Sequence, residues 1–155
     1  MSDITFKKVT IEDVDKLLEV EKTAVSSKTY FSITDREEAK KEIENNEVYF
    51  IIKHNKIVGT TEYQIKNPNH AYLGGLVIIP SFQGQGIARK AAEFKLEKLK
   101  NIKRIDLTAH PRNNKIIVLY LSLGFHIESW KDNYFGDGEP RLILALNNSH
   151  SDECG

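Results

Sequence analysis

The run Leu76-Val77-Ile78-Ile79 ends at Pro80, and the stretch Gln83-Gly84-Gln85-Gly86-Ile87-Ala88-Arg89 then opens onto a helical pattern that reaches about Lys100. A strand that turns directly into a helix constrains the fold strongly, because it sets a helix N-terminus at the end of a strand. Gly84 and Gly86 carry no side chain that would hold an anion away from the main chain. The first helical turn leaves N–H groups unpaired, and the helix dipole favours negative charge there. The stretch therefore predicts a main-chain cradle for a phosphate group. A dinucleotide-binding turn is a rival, since Gly84-x-Gly86 begins its pattern and Asp106 lies at a plausible distance for a ribose contact. Arg89 stands in its third glycine position, however, and too little alternating strand and helix follows for a doubly wound sheet. A tight connection with glycines at a crowded packing point is the plain alternative for any such turn.

Composition narrows the function classes. A chain of 155 residues is expected to form one domain, over residues 1–146, and to bury ~70% of its unfolded surface. Lys plus Arg balances Asp plus Glu at 22 each, so no bulk field favours nucleic acid or an anionic membrane. The basic cluster Lys90, Lys95, Lys98, Lys100, Lys103 and Arg104 reads as the solvated face of a helix and its exit loop. No apolar run has the length of a membrane span, and Met1-Ser2-Asp3 does not begin a signal peptide. The lone Cys154 excludes an internal disulfide, fits a reducing cytoplasm, and has nothing beside it to activate a thiolate. No Cys/His cluster has zinc-ligand spacing. The expectation is a cytoplasmic, metal-free protein with neither a nucleic acid nor a membrane as partner, and with a polar tail over residues 147–155.

Element signals run the length of the chain. Strands are expected at Ile4–Val9, Val48–Lys53, Ile57–Ile65, Ala71–Ile79, Arg104–His110, His126–Lys131 and Arg141–Leu146. Thr10 with Asp13 caps a first helix through Glu21, and Thr34 with Glu37 forms a capping box for a second through about Asn45. Two more helices follow the glycine loop and Asn113. The order predicts an α+β domain: a mixed, mostly antiparallel twisted sheet of about seven strands flanked by about four helices.

A second motif lies after the fifth strand. In His110-Pro111-Arg112-Asn113 through Tyr120 and Gly124-Phe125, Asn113 can cap a helix, and Tyr120 follows it by about two turns on the same face. Gly124 suits the left-handed position that ends a helix, and Phe125 returns to the core. Taken singly, Tyr120 reads as a core tyrosine. The spacing Gln83-x-x-Gly86-x-Ala88, followed by Asn113, Tyr120 and Gly124-Phe125, resembles the two signatures of the GCN5-related N-acetyltransferases, over roughly residues 4–146.

That resemblance implies a single-domain acetyltransferase fold and acetyl-CoA as cosubstrate. It implies that the backbone of Leu76, Val77 and Ile78 pairs with the pantetheine arm, and that the main chain of Gln83, Gly84, Gln85, Gly86, Ile87, Ala88 and Arg89 holds the pyrophosphate. It gives Asn113 a contact beside the thioester, Tyr120 the role of acid to the departing thiolate, and an amide near Ile78 a place at the carbonyl. The implied reaction is direct attack of a neutral primary amine with both substrates bound and no acyl-enzyme. The acceptor would be a protein or peptide α-amino group, as in the ribosomal-protein alanine acetyltransferase type, or else an amino acid or other small amine. A non-catalytic acyl-CoA-binding module is the alternative from another class, and a monomer or homodimer is expected.

The pattern breaks at the base. In the ribosomal-protein type a Glu stands five residues before the Asn; here that position is Thr108, which cannot accept the proton. His110 shares a strand face with Thr108 and Asp106 and has a suitable ordinary pKa for a catalytic base, but the plainer reading, a strand-end histidine held by Pro111, is the one favoured. Glu62, flanked by Thr61 and Tyr63 in mid-strand, either serves catalysis by drawing in the cationic amine or leading its proton to water, or lies on the solvent side of a half-exposed strand. Tyr63, His70 and Tyr72 are lesser candidates for the acceptor groove, and acceptor selectivity is expected from residues 23–33 and the turn Asn133 to Glu139.

Overall fold

The computed structural model describes residues 3–24 and 33–148. Seven strands form one sheet: β1 (Ile4–Lys8), β2 (Glu47–Lys53), β3 (Lys56–Asn67), β4 (His70–Ile78), β5 (Arg104–Ala109), β6 (His126–Lys131) and β7 (Arg141–Asn147). Their spatial order is β1-β2-β3-β4-β5-β7-β6, and every pairing is antiparallel except β4 with β5. The helices are α1 (Val14–Glu21), α2 (Arg36–Asn45), α3 (Ile87–Lys98) and α4 (Asn114–Ser122). This is the expected α+β architecture, with element ends shifted by a residue or two.

Two faces of the sheet are covered differently. Val14 and Leu17 of α1 and Ala39 and Ile43 of α2 pack on Val48 and Phe50. On the other face Ala92 of α3, Leu99 at its C-cap and Tyr120 of α4 close over Leu73, Ile105, Leu107 and Leu144, while Ile87 and Ala91 meet Ile51 and Val58. Each such fully buried aliphatic side chain contributes ~1.5–3 kcal/mol.

The parallel pair leaves an opening in the sheet. β4 and β5 are in register only from His70↔Arg104 to Leu73↔Leu107, although β4 runs on to Ile78. Beyond Leu73 the strands part, and among the described residues the β5-facing edge of Leu76–Ile78 has no strand partner. On its other side β4 stays paired with β3, but with a bulge: Thr61 opposes Leu76 and Tyr63 opposes Leu73, so Gly74 and Gly75 together face Glu62.

Helix ends follow their capping chemistry, with one correction. Thr10 N–H donates to Asp13 Oδ2 at 2.9 Å, as expected, and a 3-10 turn at Ile11–Asp13 precedes α1. The second helix is capped not by Thr34 with Glu37 but by Asp35, whose Oδ1 accepts from Glu38 N–H at 2.9 Å. Asp is as good a cap as Thr, and starting one residue later places Ala39 and Ile43 on the core. α4 ends as read from Gly124: its φ is 101°, Phe125 N–H donates to Tyr120 O at 3.0 Å and Gly124 N–H to Leu121 O at 3.1 Å.

One expectation fails outright. Lys95 belongs to no solvated face; it is 0% exposed, in the inward stripe of α3 with Ile87, Ala91 and Ala92. Its ammonium has no hydrogen-bond partner among the described residues. At the C-terminus, Asn147 ends β7 and Asn148 Nδ2 donates to Ile102 O at 3.0 Å, while residues 149–155 of the expected tail lie outside the described residues.

Candidate active site

The glycine turn has the geometry an anion cradle needs. Gly84 and Gly86 adopt φ of 80° and 79°, the left-handed region that other residues enter only with strain, and a Cβ at either would meet nothing within 4 Å. The space above both is open. The first helical bond of α3 runs from Lys90 N–H to Gly86 O, so the N–H groups of Ile87, Ala88 and Arg89 have no partner in their own helix. Neighbouring side chains are turned toward protein. Gln83 Nε2 donates to Ile78 O at 2.9 Å, Gln85 Oε1 accepts from Lys53 Nζ at 2.7 Å, and Arg89 donates to Ser122 Oγ of α4 at 2.7 Å. The main chain is what remains for a ligand.

The gap between β4 and β5 opens into a cavity of about 490 Å³ that passes from one side of the sheet to the other. Asn113, Ile116 and Tyr120 line the α4 side, and Glu42, Glu62 and Tyr72 the α2 side. Tyr120 is 3% exposed, its ring edge-on to Phe125 at 5.1 Å. Its hydroxyl has no hydrogen-bond partner among the described residues, and burial raises its pKa well above the usual 10, keeping it protonated. Asn113 caps α4 through Oδ1, which accepts from Ile116 N–H at 3.4 Å.

Glu62 lines this cavity. A Cβ on Gly74 would lie 2.6 Å from Glu62 Cγ and 2.7 Å from Oε2, so the glycine of the bulge is what leaves the carboxylate its place. The side chain points into the cavity, which answers the alternative of a solvated strand face. Burial holds its pKa well above the ordinary carboxylate value; Glu42 and then Glu21 push the same way, and Lys95 pulls against them. A carboxyl poised upward in this manner suits a base near neutrality.

With that geometry in place, sequence comparison decides the family. The model of the acetyltransferase (GNAT) family matches residues 11–125. The chain belongs to the GNAT acetyltransferases. No curated protein matches it in sequence. Among solved structures it is similar to the ribosomal-protein-S18-alanine N-acetyltransferase of Escherichia coli, with 21% identity, 93% of each chain covered and a TM-score of 0.78. It is also similar to the ribosomal-protein-S5-alanine acetyltransferase of Vibrio fischeri (18%, 97% of this chain and 96% of that one, TM-score 0.77). A third is a GNAT acetyltransferase of Elizabethkingia anophelis with acetyl-CoA bound (18%, 95% and 99%, TM-score 0.74). The open β4 edge and the glycine cradle fit acetyl-CoA, the acetyl donor of GNAT enzymes.

The other residues singled out from the sequence divide cleanly within this GNAT fold. His110 lines the cavity, but both ring nitrogens are engaged: Arg112 N–H donates to Nδ1 at 3.1 Å and Nε2 lies 2.6 Å from Glu139 Oε1. A ring that accepts at Nδ1 must donate from Nε2, so no lone pair is left for an amine proton. His110 thus ties the β5 end to the β6–β7 connection. Tyr72 OH and Thr108 Oγ1 are 2.9 Å apart, and burial raises the tyrosine to about 12. His70 pairs with Asp106 at 2.9 Å on the wall of an adjoining cavity of about 500 Å³ that shares Glu42, Glu62 and Tyr72 with the first. Tyr63 faces the opposite side of the sheet, stacked with Tyr49, and takes no part in the groove. Ile33 and Phe135 from the two expected selectivity segments reach the first cavity, whereas residues 25–32 lie outside the described residues. Sequence reasoning missed Glu42. The available signal was an acid in the last turn of a helix, where the dipole disfavours a carboxylate.

Proposed function

We propose that this acetyltransferase acts on a protein or peptide N-terminal α-amino group, with acetyl-CoA and acceptor bound together from opposite sides of the sheet. The observation that carries the reading is the single cavity through the β4–β5 gap, with Glu62 on one wall and Tyr120 on the other. Supporting the acceptor class are the ribosomal-protein alanine acetyltransferases among similar structures and the second cavity, which offers room for residues beyond the first. In this reading Gly84 to Arg89 hold the pyrophosphate by main-chain N–H groups, and the β4 edge at Leu76, Val77 and Ile78 pairs with the pantetheine arm. Asn113 steadies the thioester end. Glu62 takes the ammonium proton, orientation brings the amine onto the carbonyl, and Tyr120 protonates the sulfur as the carbon–sulfur bond breaks. His110 positions the β6–β7 connection instead of acting as base.

The test is release of free CoA thiol from acetyl-CoA against short peptides varied at their first residue, free amino acids and polyamines. Turnover confined to peptides is expected. Turnover confined to free amino acids or polyamines would overturn the acceptor assignment, and binding of acetyl-CoA without turnover on any amine would favour a non-catalytic module.

A further inference from the structure

Arg141 opens β7 and is only 2% exposed, yet it lines the first cavity. It stands across the β4–β5 gap from Glu62, because the strand order puts β3 on one side of the gap and β7 on the other. Strand alternation sets its direction. Leu142, Leu144 and Leu146 pack into the core beneath α4, so Arg141 and Ile143 face the other side of the sheet, where Glu62 and Tyr72 lie. The guanidinium is held: Nη2 donates to Asp137 Oδ2 at 3.2 Å, Nη1 donates to Pro140 O at 3.0 Å, and the group lies 5.0 Å from the centroid of the Phe135 ring. A guanidinium has five N–H donors, so three are left without an acceptor among the described residues. Phe135 lines both cavities, which puts those donors beside the ring where the cavities meet.

Charge decides what the spare donors can take. Asp137 already gives Arg141 one carboxylate, and Glu139 of the same turn is held by His110 Nε2 at 2.6 Å and Arg112 Nη2 at 3.2 Å. A ligand carboxylate would add a negative charge beside two that are already there. A neutral carbonyl oxygen adds none, and it accepts a charge-assisted hydrogen bond. The cavity thus presents a carboxyl on one side of the gap and spare guanidinium donors on the other. An α-amine followed by a peptide carbonyl has the matching groups.

We propose that Arg141 is a specificity-determining residue, donating to the first peptide carbonyl of the acceptor while the acceptor's α-amino group lies at Glu62. The inference rests on the acetyltransfer reading above and narrows it. A plain alkylamine offers nothing to the Arg141 donors, and a free amino acid brings a carboxylate that Asp137 disfavours. A buried site built to donate rejects an analogue that lacks the acceptor, because its own donors are left unpaired. Beyond the first carbonyl the peptide passes Phe135 into the second cavity.

The experiment compares a short peptide beginning with alanine, free alanine, and sec-butylamine, which keeps the amine-bearing carbon and lacks the carbonyl. In Arg141→Met, kcat/KM for the peptide should fall about 10–100-fold and that for sec-butylamine less than about threefold. The ratio cancels amine basicity and any loss of folded protein, so equal falls would leave Arg141 a structural role only and overturn the proposal. Asp137→Asn, in the exposed turn, keeps Arg141 and removes its counter-charge. Free alanine should then gain about tenfold in kcat/KM relative to the peptide, and an unchanged ratio overturns the charge argument. Peptide binding is also followed by calorimetry on the protein loaded with CoA, where no acetyl group is present. Its Kd should rise about tenfold in Arg141→Met; an unchanged Kd, or no binding to the unsubstituted protein, overturns Arg141 as the carbonyl donor. If no amine is turned over by the unsubstituted protein, the acetyltransfer reading fails by itself, and the calorimetry still decides Arg141.

Discussion

Replacing Lys95 with Met should make this protein more stable at neutral pH. The ammonium lies in the α3–sheet interface with no exposure and no hydrogen bond among the described residues, and burial lowers its pKa to about 8 from 10.5 despite the opposing pull of Glu62. At pH 7 both folded and unfolded chains carry the charge, so the folded state bears the full cost of burying it. The gap between the two pKa values corresponds to ~3 kcal/mol. Met keeps the length and flexibility of the chain and removes the charge, so packing changes little. The sign with pH follows directly. Above about pH 8 the folded lysine loses its proton while the unfolded one keeps it to about 10.5. Unsubstituted protein therefore gains stability as pH rises through that window, and the Met variant does not. The advantage of the variant should be ~3 kcal/mol at pH 7, a rise of roughly 6–12 °C in Tm, and shrink to ~1 kcal/mol at pH 10. Urea unfolding across that range measures both numbers. A variant less stable at pH 7, or an advantage that does not narrow with rising pH, would refute the buried, unpaired ammonium.

Three further outcomes follow from the site. Tyr120→Phe removes a hydroxyl that lines the cavity and has no hydrogen-bond partner among the described residues, so Tm should stay within about 1 °C while kcat falls ~10²–10⁴-fold and acetyl-CoA affinity by calorimetry is nearly unchanged. Gly86→Leu should abolish acetyl-CoA binding while circular dichroism remains that of the folded protein, because the space it fills is open and the backbone strain at φ 79° costs only ~1–2 kcal/mol; retained affinity would remove the phosphate cradle from this turn. Gly74→Ala drives a methyl into the Glu62 carboxyl, so kcat with a peptide should drop at least about tenfold with acetyl-CoA affinity intact, and an unchanged kcat would detach Glu62 from the reaction.

The cofactor half of this protein is legible in the sequence because its chemistry is local and made of backbone. Gly84 and Gly86 specify their own φ, the helix start supplies the unpaired N–H groups, and Asn113, Tyr120 and Gly124 specify one helix from cap to stop. A contiguous stretch determines all of this, whatever packs around it. The acceptor half depends on residues brought together from α2, β3, β4 and β5, and on a one-residue bulge at Gly74–Gly75 that decides where Glu62 points. No local pattern announces that register. His110 looked like a base until Glu139, 29 residues on, occupied its ring. Lys95 is an intermediate case: it falls four residues after Ala91 and four before Leu99, so helical period placed it inward, but its charge and basic neighbours argued for water. Sequence by itself determines where a backbone can bind an anion. Which carboxyl has its proton affinity raised is decided only by tertiary structure, because that affinity depends on burial and on charges nearby that belong to other parts of the chain.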